Sequence, residues 1–451
     1  MVAPTTTRRY SPVRELEINL VLNFRVPGDE LTVNGILLGL EEQTPLILTT
    51  LLQSIFKALE ERIVQRLIRE YPGRFVLNGH QSNARKLITH FGVFRYRMVQ
   101  MIDKKTGRTL IPLAKALALV PYRQYQAEAL RAGVGLAIHL SYARASREIM
   151  RIRGQGPSKS TTYRWFREIA HTQGRWPPMK EVPYRFLMVD GTKVRLQGPG
   201  GKDLGYKEMR WALASEGPGR SFKHVGFWVD TGWNVIRKDL ENRLTYEKLE
   251  VLFCDGGPGI GENLLAEGMR LQRCLWHGKR DFPFLMYADG LKKAGQQPFK
   301  SLFGQIPIFD LTKARLEKID PADQKTIQQL VQQTRYGFEQ LLEALNQNQY
   351  PIARAYIRNL YKHTMTFLDY WLQNTKWLPL NINAIESAFS RIANRIKRMG
   401  KRWSDRGLLE WLMLALAKVF RPELWDQLWK QYMKINRKIT LVMCRAQYVW
   451  L

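Results

Sequence analysis

Cysteine is nearly absent: Cys254, Cys274 and Cys444 are all that 451 residues contain. Three cysteines build no disulfide framework, and no CxxC pair offers a zinc site, so this usage fits a reducing cytoplasm. Long apolar runs are missing too. Nothing reaches the roughly 18 apolar residues of a membrane span. The nearest stretch, "LLEWLMLALAKVF", is interrupted by Glu410 and reads as a buried helix. The opening "MVAPTTTRRYSPVREL" lacks the apolar segment of a signal peptide. Acid is the third shortage. Forty Asp and Glu stand against seventy Lys and Arg, a formal charge of +30. That excess favours a polyanionic partner, because each neutralised phosphate releases condensed counterions. No basic amphipathic anchor or lipidation signal is visible, so nucleic acid is the expected partner and a membrane is not.

What is there reads as a folded chain of two to four domains. Residues up to about Thr32 look irregular. From Thr44 to Glu70 apolar residues recur at helical spacing, with Leu51, Leu52, Ile55, Leu59, Ile63 and Leu67 on one face. "HFGVFRYRMVQMIDKKTGRTLIPL" alternates on either side of a turn signal at Asp103 to Gly107, which predicts a hairpin. Residues 124 to 169 read as three helices. The second, about Ser141 to Ile152, is followed by "RGQGPSKS". The third starts in "STTYRWFREIA", with Ser160 or Thr161 as N-cap. Helix, short turn and a helix carrying Lys159, Arg164 and Arg167 suggest a helix-turn-helix that contacts DNA; a plain helical connector is the alternative.

"QGRWPPMKEVP" marks the clearest boundary. Beyond it, "YRFLMVDGTKVRLQ", "EMRWALASEG" and "SFKHVGFWVDTGWNVI" read as consecutive strands. A helix over Asp239 to Leu249 follows, then a strand "EVLFCD", a helix "GENLLAEGM" and a short strand "RLQRCLWH". Residues 282 to 376 are almost wholly helical in pattern, and a last helix pair spans "NAIESAFSRIANRIKRM" and "SDRGLLEWLMLALAKVF". The expected organisation is an N-terminal helical region with a hairpin (1–118), a helix-turn-helix-like region (119–178), a core begun at 182–281, a helical insertion (282–378), C-terminal core helices (379–435) and a tail (436–451).

Two aspartates carry the chemistry. "RFLMV" before Asp190 and "VLFC" before Asp255 are continuously apolar, as in strands covered on both faces. Each run ends in Asp-Gly. If the strands are parallel neighbours, both carboxylates emerge at one carboxyl edge, where open α/β sheets place ligands. Carboxylates that close repel unless a cation lies between them, and Mg²⁺ takes such oxygen ligands while keeping waters. Glu386 is the candidate third acid. Ile385, Phe389, Ile392, Ile396 and Met399 form a core stripe, and Glu386 lies about 100° round from it. Arg391, Arg395, Arg398 and Arg402 recur on another side. With Lys397 and Lys401 they make six basic residues and no acid from Ser387 to Arg402, a surface fit for a phosphate backbone. Each feature has a plainer reading. The aspartates could be turn formers. Glu386 could complete a capping box with Asn383 as N-cap. The arginines could be a solvated face. Cys274 and His277 have no second pair at ligand spacing, so a zinc site is not expected; they read as a buried cysteine and a histidine packed near the acids.

The order of these features resembles Mutator-type transposases with an RNase H-like DDE domain, and more narrowly insertion-sequence transposases of the ISLre type. The resemblance covers about Tyr184 to Phe420, and the hairpin is similar to the N-terminal part of those proteins. It implies an α/β RNase H-like core with an all-α insertion. It implies that Asp190, Asp255 and Glu386 form the acidic triad, holding two Mg²⁺ or Mn²⁺ ions. The spacings are 255 − 190 = 65 and 386 − 255 = 131, the second leaving room for the insertion. Cys274 and His277 match the family's Cys/Asp-x-x-His motif beside the active site. The implied partners are double-stranded DNA (terminal inverted repeats and target) and further copies of the chain in a homodimer or larger assembly. The implied location is the nucleoid of a prokaryotic cytoplasm. A nuclease that cuts without joining, and a non-catalytic DNA-binding descendant, are the other functions open to such a chain.

Overall fold

The computed structural model describes Ile18, Val21, Leu22, Arg25 and residues 32–434, apart from His90, Gly154, 174–178 and 399–402; of Arg153, Gln173 and Arg398 it describes the backbone alone. The C-terminal "KITLVMCRAQYVWL", with Cys444, lies outside the described residues, as does most of the irregular start. The chain divides into two compact units, Met1–Phe166 and Arg167–Leu451.

The first unit opens with α1 (Val33–Glu70). It starts before the repeating pattern at Thr44 because Thr32 caps it, the hydroxyl accepting from the Gly35 N–H at 3.1 Å. Gly35, Gly39 and Pro45 are all carried inside the helix. Five strands follow: β1 (Phe75–His80), β2 (Arg85–Thr89), β3 (Gly92–Tyr96), β4 (Val99–Asp103) and β5 (Arg108–Leu110). They form an antiparallel sheet β1-β4-β5 and a separate pair β2-β3. The expected hairpin is β4–β5, closed by Gly107 at φ +68°. The other three strands correct the expectation of one hairpin in a mainly helical region. At five or six residues each, they are too short to show a clear alternation. Phe56 of α1, Leu87, Phe94, Met98 and Leu113 make their core, the last on α2 (Pro112–Ala116).

The three expected helices are α3 (Ala127–His139), α4 (Tyr142–Arg153) and α5 (Lys159–Gln173). The cap of α5 is Ser158, whose hydroxyl accepts from the Thr161 N–H at 3.1 Å, not Ser160 or Thr161. The helices meet at Gly133, where a Cβ would lie 3.0 Å from Ile149 and 3.1 Å from Trp165.

The second unit is an α/β sheet under helices. In chain order it holds β6 (Phe186–Gln197), β7 (Asp203–Ser215), β8 (Lys223–Val229), α6 (Trp233–Arg243), β9 (Val251–Cys254), α7 (Ile260–Leu264), β10 (Arg270–Arg273) and α8 (Leu275–Ala288). The strand order is β10-β9-β6-β7-β8. β6, β7 and β8 pair antiparallel, whereas β9 runs parallel to β6 and β10 parallel to β9. The helix expected over Asp239 to Leu249 stands earlier, as α6, followed by a single 3₁₀ turn at Tyr246–Lys248. The helical stretch continues with α9 (Gln297–Gly304), α10 (Lys313–Leu316), α11 (Gln324–Gln347) and α12 (Pro351–Asn374). The last elements are α13 (Asn383–Ala393), which runs into a π turn over Asn394–Arg398, α14 (Asp405–Phe420) and α15 (Pro422–Met433).

β6 and β9 are covered on both faces, which is why their apolar runs do not alternate. On one face Leu187, Val189, Leu252 and Cys254 pack with Trp233, Ile236 and Leu240 of α6 and Ile260 and Leu264 of α7. On the other, Phe186 meets Phe253 at 5.5 Å and Tyr370 of α12 at 5.8 Å. Phe186, Met188 and Trp211 are essentially unexposed, and burial of each such side chain contributes about 1.5–3 kcal/mol. Among the described residues no helix is long and apolar enough to cross a membrane.

Candidate active site

The sheet register sets the two aspartates side by side. β6 and β9 pair Phe186 with Val251 and Met188 with Phe253. The offset, 251 − 186 = 65, carries Asp190 to the level of Asp255. β9 ends at Cys254, so Asp255 is the first residue past its carboxyl end. Asp190 differs from expectation. It closes no strand, because β6 runs on through Asp190 and Gly191 to Gln197, paired throughout with β7. The long antiparallel partner overrides the local turn signal of Asp-Gly. Asp190 becomes accessible because its other neighbour, β9, stops beside it.

Cross-strand pairing also sets the direction of Asp190. Its partner on β7 is Trp211, and paired residues share a face of the sheet. Trp211 packs edge-on against Phe389 of α13 at 5.1 Å and Phe420 of α14 at 5.2 Å. Glu386 lies one turn before Phe389, so the helix that covers Trp211 brings Glu386 over the aspartates. The capping box is not formed. The residue before α13 is Ile382, with no side-chain cap, and Asn381 Oδ1 accepts from the Asn383 N–H at 3.1 Å. The Glu386 carboxylate is therefore available. It is 40% exposed and 3.4 Å from His277 Nε2.

The turn after Asp255 needs glycine. Gly256 has φ +92°, and a Cβ there would lie 2.2 Å from the Arg273 guanidinium. That guanidinium donates to the Asp255 carbonyl at 2.8 Å and to Asn359 Oδ1 at 3.2 Å. It lies 5.0 Å from the Tyr356 ring and is 4% exposed. The Asp255 carboxylate accepts from the Gly257 N–H at 2.8 Å. Arg273 thus fixes the backbone that presents Asp255. A charge at the end of "RLQR" was its only sequence signal, and sequence reasoning passed over it. Gly256→Ala is expected to destabilise the unit by about 2 kcal/mol or more, combining a left-handed backbone cost with the clash; urea unfolding measures it.

"RLQRCLWH" is not one strand: β10 stops at Arg273, Cys274 precedes α8, and His277 sits in the first turn of that helix. Cys274 and His277 are both buried. Burial pushes the Cys274 thiol up, against backbone N–H groups of His277, Ile382 and Trp276. The Leu275 N–H donates to the Leu380 carbonyl at 3.1 Å. Cys274 therefore lies at the joint where the starts of α8 and α13 abut. His277 is held below its ordinary value by burial and by Arg280, with Glu386 and Asp255 opposing. It is neutral at pH 7 beside the Glu386 carboxylate.

The Asp190 carboxyl is strongly perturbed. Burial, Asp255 and Glu386 push its carboxyl up to about 7, while the Gly191 N–H at 2.7 Å and Lys397 act the other way. Asp255 and Glu386 are thus both near enough to act on Asp190. Among the described residues, no three His, Cys, Asp or Glu side chains are grouped closely enough to hold a metal ion as they stand, Asp190, Asp255 and Glu386 included.

The basic residues expected to face DNA divide. Lys159 and Arg164 are exposed. Arg167 is instead tied to Glu410 at 3.4 Å. Arg391 is exposed, its guanidinium 5.5 Å from the Phe420 ring. Lys397 is exposed and acts on Asp190. Arg395 is a correction: it is 3% exposed, with its guanidinium 4.8 Å from the Trp403 ring. The π turn shifts the helical phase at Asn394 and carries Arg395 inward with Ile396. The Arg398 side chain, Met399, Lys401 and Arg402 lie outside the described residues. A cavity of about 560 Å³ lined by Phe222, Lys223, His224, Ala388, Arg391 and Phe420 lies on the far flank of α13 and contains none of the three acids.

No family model matches the chain, and no curated protein matches it. Among solved structures one similar chain is the Drosophila P element transposase strand transfer complex, at 12% identity and a TM-score of 0.25, with 69% of this chain and 82% of that chain covered.

Proposed function

We propose that this chain is a DDE-type DNA transposase of the Mutator-like, ISLre-type kind, with an RNase H-like core. The observation that carries the reading is the β6–β9 register, which brings Asp190 level with Asp255 where β9 ends, with Glu386 on the first turn of α13 acting on Asp190. The order β10-β9-β6-β7-β8, three antiparallel strands followed by two parallel ones, supports an RNase H-like core. The helices from α9 to α12 then correspond to the insertion before the third acid. The charge of +30 supports a DNA substrate.

The residues fit divalent cations by the chemistry of their donors. Asp255 and Glu386 both disfavour the Asp190 charge, and Lys397 opposes them too weakly to keep Asp190 in the ordinary acid range. An open arrangement suits an ion that keeps several waters, as Mg²⁺ does. Asp190, Asp255 and Glu386 would hold two Mg²⁺ or Mn²⁺ ions, which supply Lewis-acid activation of attacking and leaving oxygens in an in-line displacement on phosphorus. His277 positions Glu386 from α8, and Arg273 positions Asp255. Lys397 and Arg280 stand where a phosphate would approach, since Lys397 acts on Asp190 and Arg280 on Asp255 and Glu386. Water forms a bond to phosphorus and the 3′-oxygen leaves with a proton. The freed 3′-OH then attacks a target phosphodiester, and one P–O bond replaces another. Two ends must be brought together, so a dimer or larger assembly of this chain is part of the proposal.

The test is incubation of the full chain with duplexes carrying the element ends and a target plasmid, in Mg²⁺ or Mn²⁺. Cleavage and joined products support the transposase. Cleavage without joining supports an RNase H-like nuclease instead, and binding alone refutes both enzymes.

A further inference from the structure

We propose that one face of α8 is a stacking track for unpaired DNA bases, leading away from the three carboxylates. The proposal rests on reading those carboxylates as a site that acts on DNA, and it names the state of the DNA beside them. Trp276, Phe284 and Tyr287 are 56%, 69% and 69% exposed. At 100° per residue their positions, i, i+8 and i+11, fall within an arc of about 80°. The same helix buries Leu275, His277, Phe282 and Met286 on its inner side. The aromatics are therefore left out of a core that the helix otherwise serves. Leaving each in water forgoes about 1.5–3 kcal/mol of burial.

The track starts at the site. The Trp276 ring lies edge-on to His277 at 4.9 Å, and His277 Nε2 is 3.4 Å from Glu386. Arg280, one turn on, places its guanidinium 5.1 Å from the Trp276 ring, with Asp281 bound to it at 2.7 Å. Lys279, Lys292 and Lys293 are exposed beside or just beyond the helix. Aromatic rings interleaved with cations are the chemistry of single-strand binding: rings take base faces and cations take phosphates. In a duplex the base faces are stacked on each other, so the rings favour unpaired nucleotides. From Trp276 to Tyr287 the helix rises about 16 Å, the length of four or five stacked bases at about 3.4 Å each. A strand frayed or released at the cleavage point would lie along it.

The test is fluorescence anisotropy of the full chain in EDTA, with a labelled single-stranded oligonucleotide and a blunt duplex of the same length. Trp276→Ala/Phe284→Ala/Tyr287→Ala is expected to weaken single-strand binding tenfold or more and duplex binding less than twofold. The loss should persist at raised salt, because stacking releases no counterions. Trp276→Phe with Tyr287→Phe should keep wild-type affinity within twofold, which separates stacking from folding. The proposal is overturned if the triple variant binds the single strand as the wild type does. Equal loss for both DNAs overturns it too, as does an unchanged affinity with a drop in mass by light scattering, which would make the face a protein interface. No cleavage occurs in EDTA, so a chain that never cuts DNA but loses single-strand binding in the triple variant refutes the transposase and leaves the track standing.

Discussion

Asp190→Asn, Asp255→Asn and Glu386→Gln are each expected to lower DNA cleavage by a factor on the order of 10³ or more, with DNA affinity equal or slightly tighter. The shape of each side chain is kept and only charge is removed. Losing one ligand to an ion that stabilises charge at both reacting oxygens costs several kcal/mol in the transition state, and each 1.36 kcal/mol is tenfold in rate. Binding moves the other way because a carboxylate repels phosphate. Asp190 and Asp255 sit at one register level, and Glu386 on α13 acts on Asp190. The three losses should therefore not multiply, since groups acting as a unit are non-additive. A single-turnover gel assay beside a filter-binding assay measures both quantities. Cleavage surviving in any one variant at more than a few per cent would remove that residue from the site.

The second large effect is on stability. Asp190 holds its proton to about pH 7, against an ordinary 3.8, because burial and two neighbouring acids disfavour its charge. Between those values the native state binds more protons than the unfolded one, so stability falls as pH rises through the window. Without divalent metal, the second unit should lose on the order of 2–4 kcal/mol from this group between pH 4 and pH 8. Asp190→Asn should remove that decline. Millimolar Mg²⁺ or Mn²⁺ at pH 8 should raise the melting temperature of the wild type by several degrees and of Asp190→Asn by much less. Thermal unfolding over a pH series with and without metal checks it. A wild type as stable at pH 8 as at pH 5, with no response to metal, would contradict the electrostatic account of the site.

Much of the second unit was legible because burial on both faces leaves a plain mark. "RFLMV" and "VLFC" are apolar without alternation, and both are central strands. The Glu386 helix was legible through the spacing of Ile385, Ile392 and Ile396, all buried. What escaped depends on contacts distant in sequence. Asp-Gly signals a turn at both aspartates, yet only Asp255 has one, since β7 extends the pairing past Asp190. Arg273 looked like a charge ending a strand, and its task is set by Asp255 and Asn359, 18 and 86 residues away. Arg395 was placed on an exposed stripe by a constant helical period, which the π turn breaks. In the first unit, β1 and β2, of six and five residues, carry too little periodicity to read.

The measurement that bears most directly on the central claim is a count of Mn²⁺ bound per chain, by electron paramagnetic resonance, with element-end DNA present. Two ions per chain are expected, falling in Asp190→Asn, Asp255→Asn and Glu386→Gln alike. No binding above that of DNA alone, or the same count in all three variants, would contradict the account.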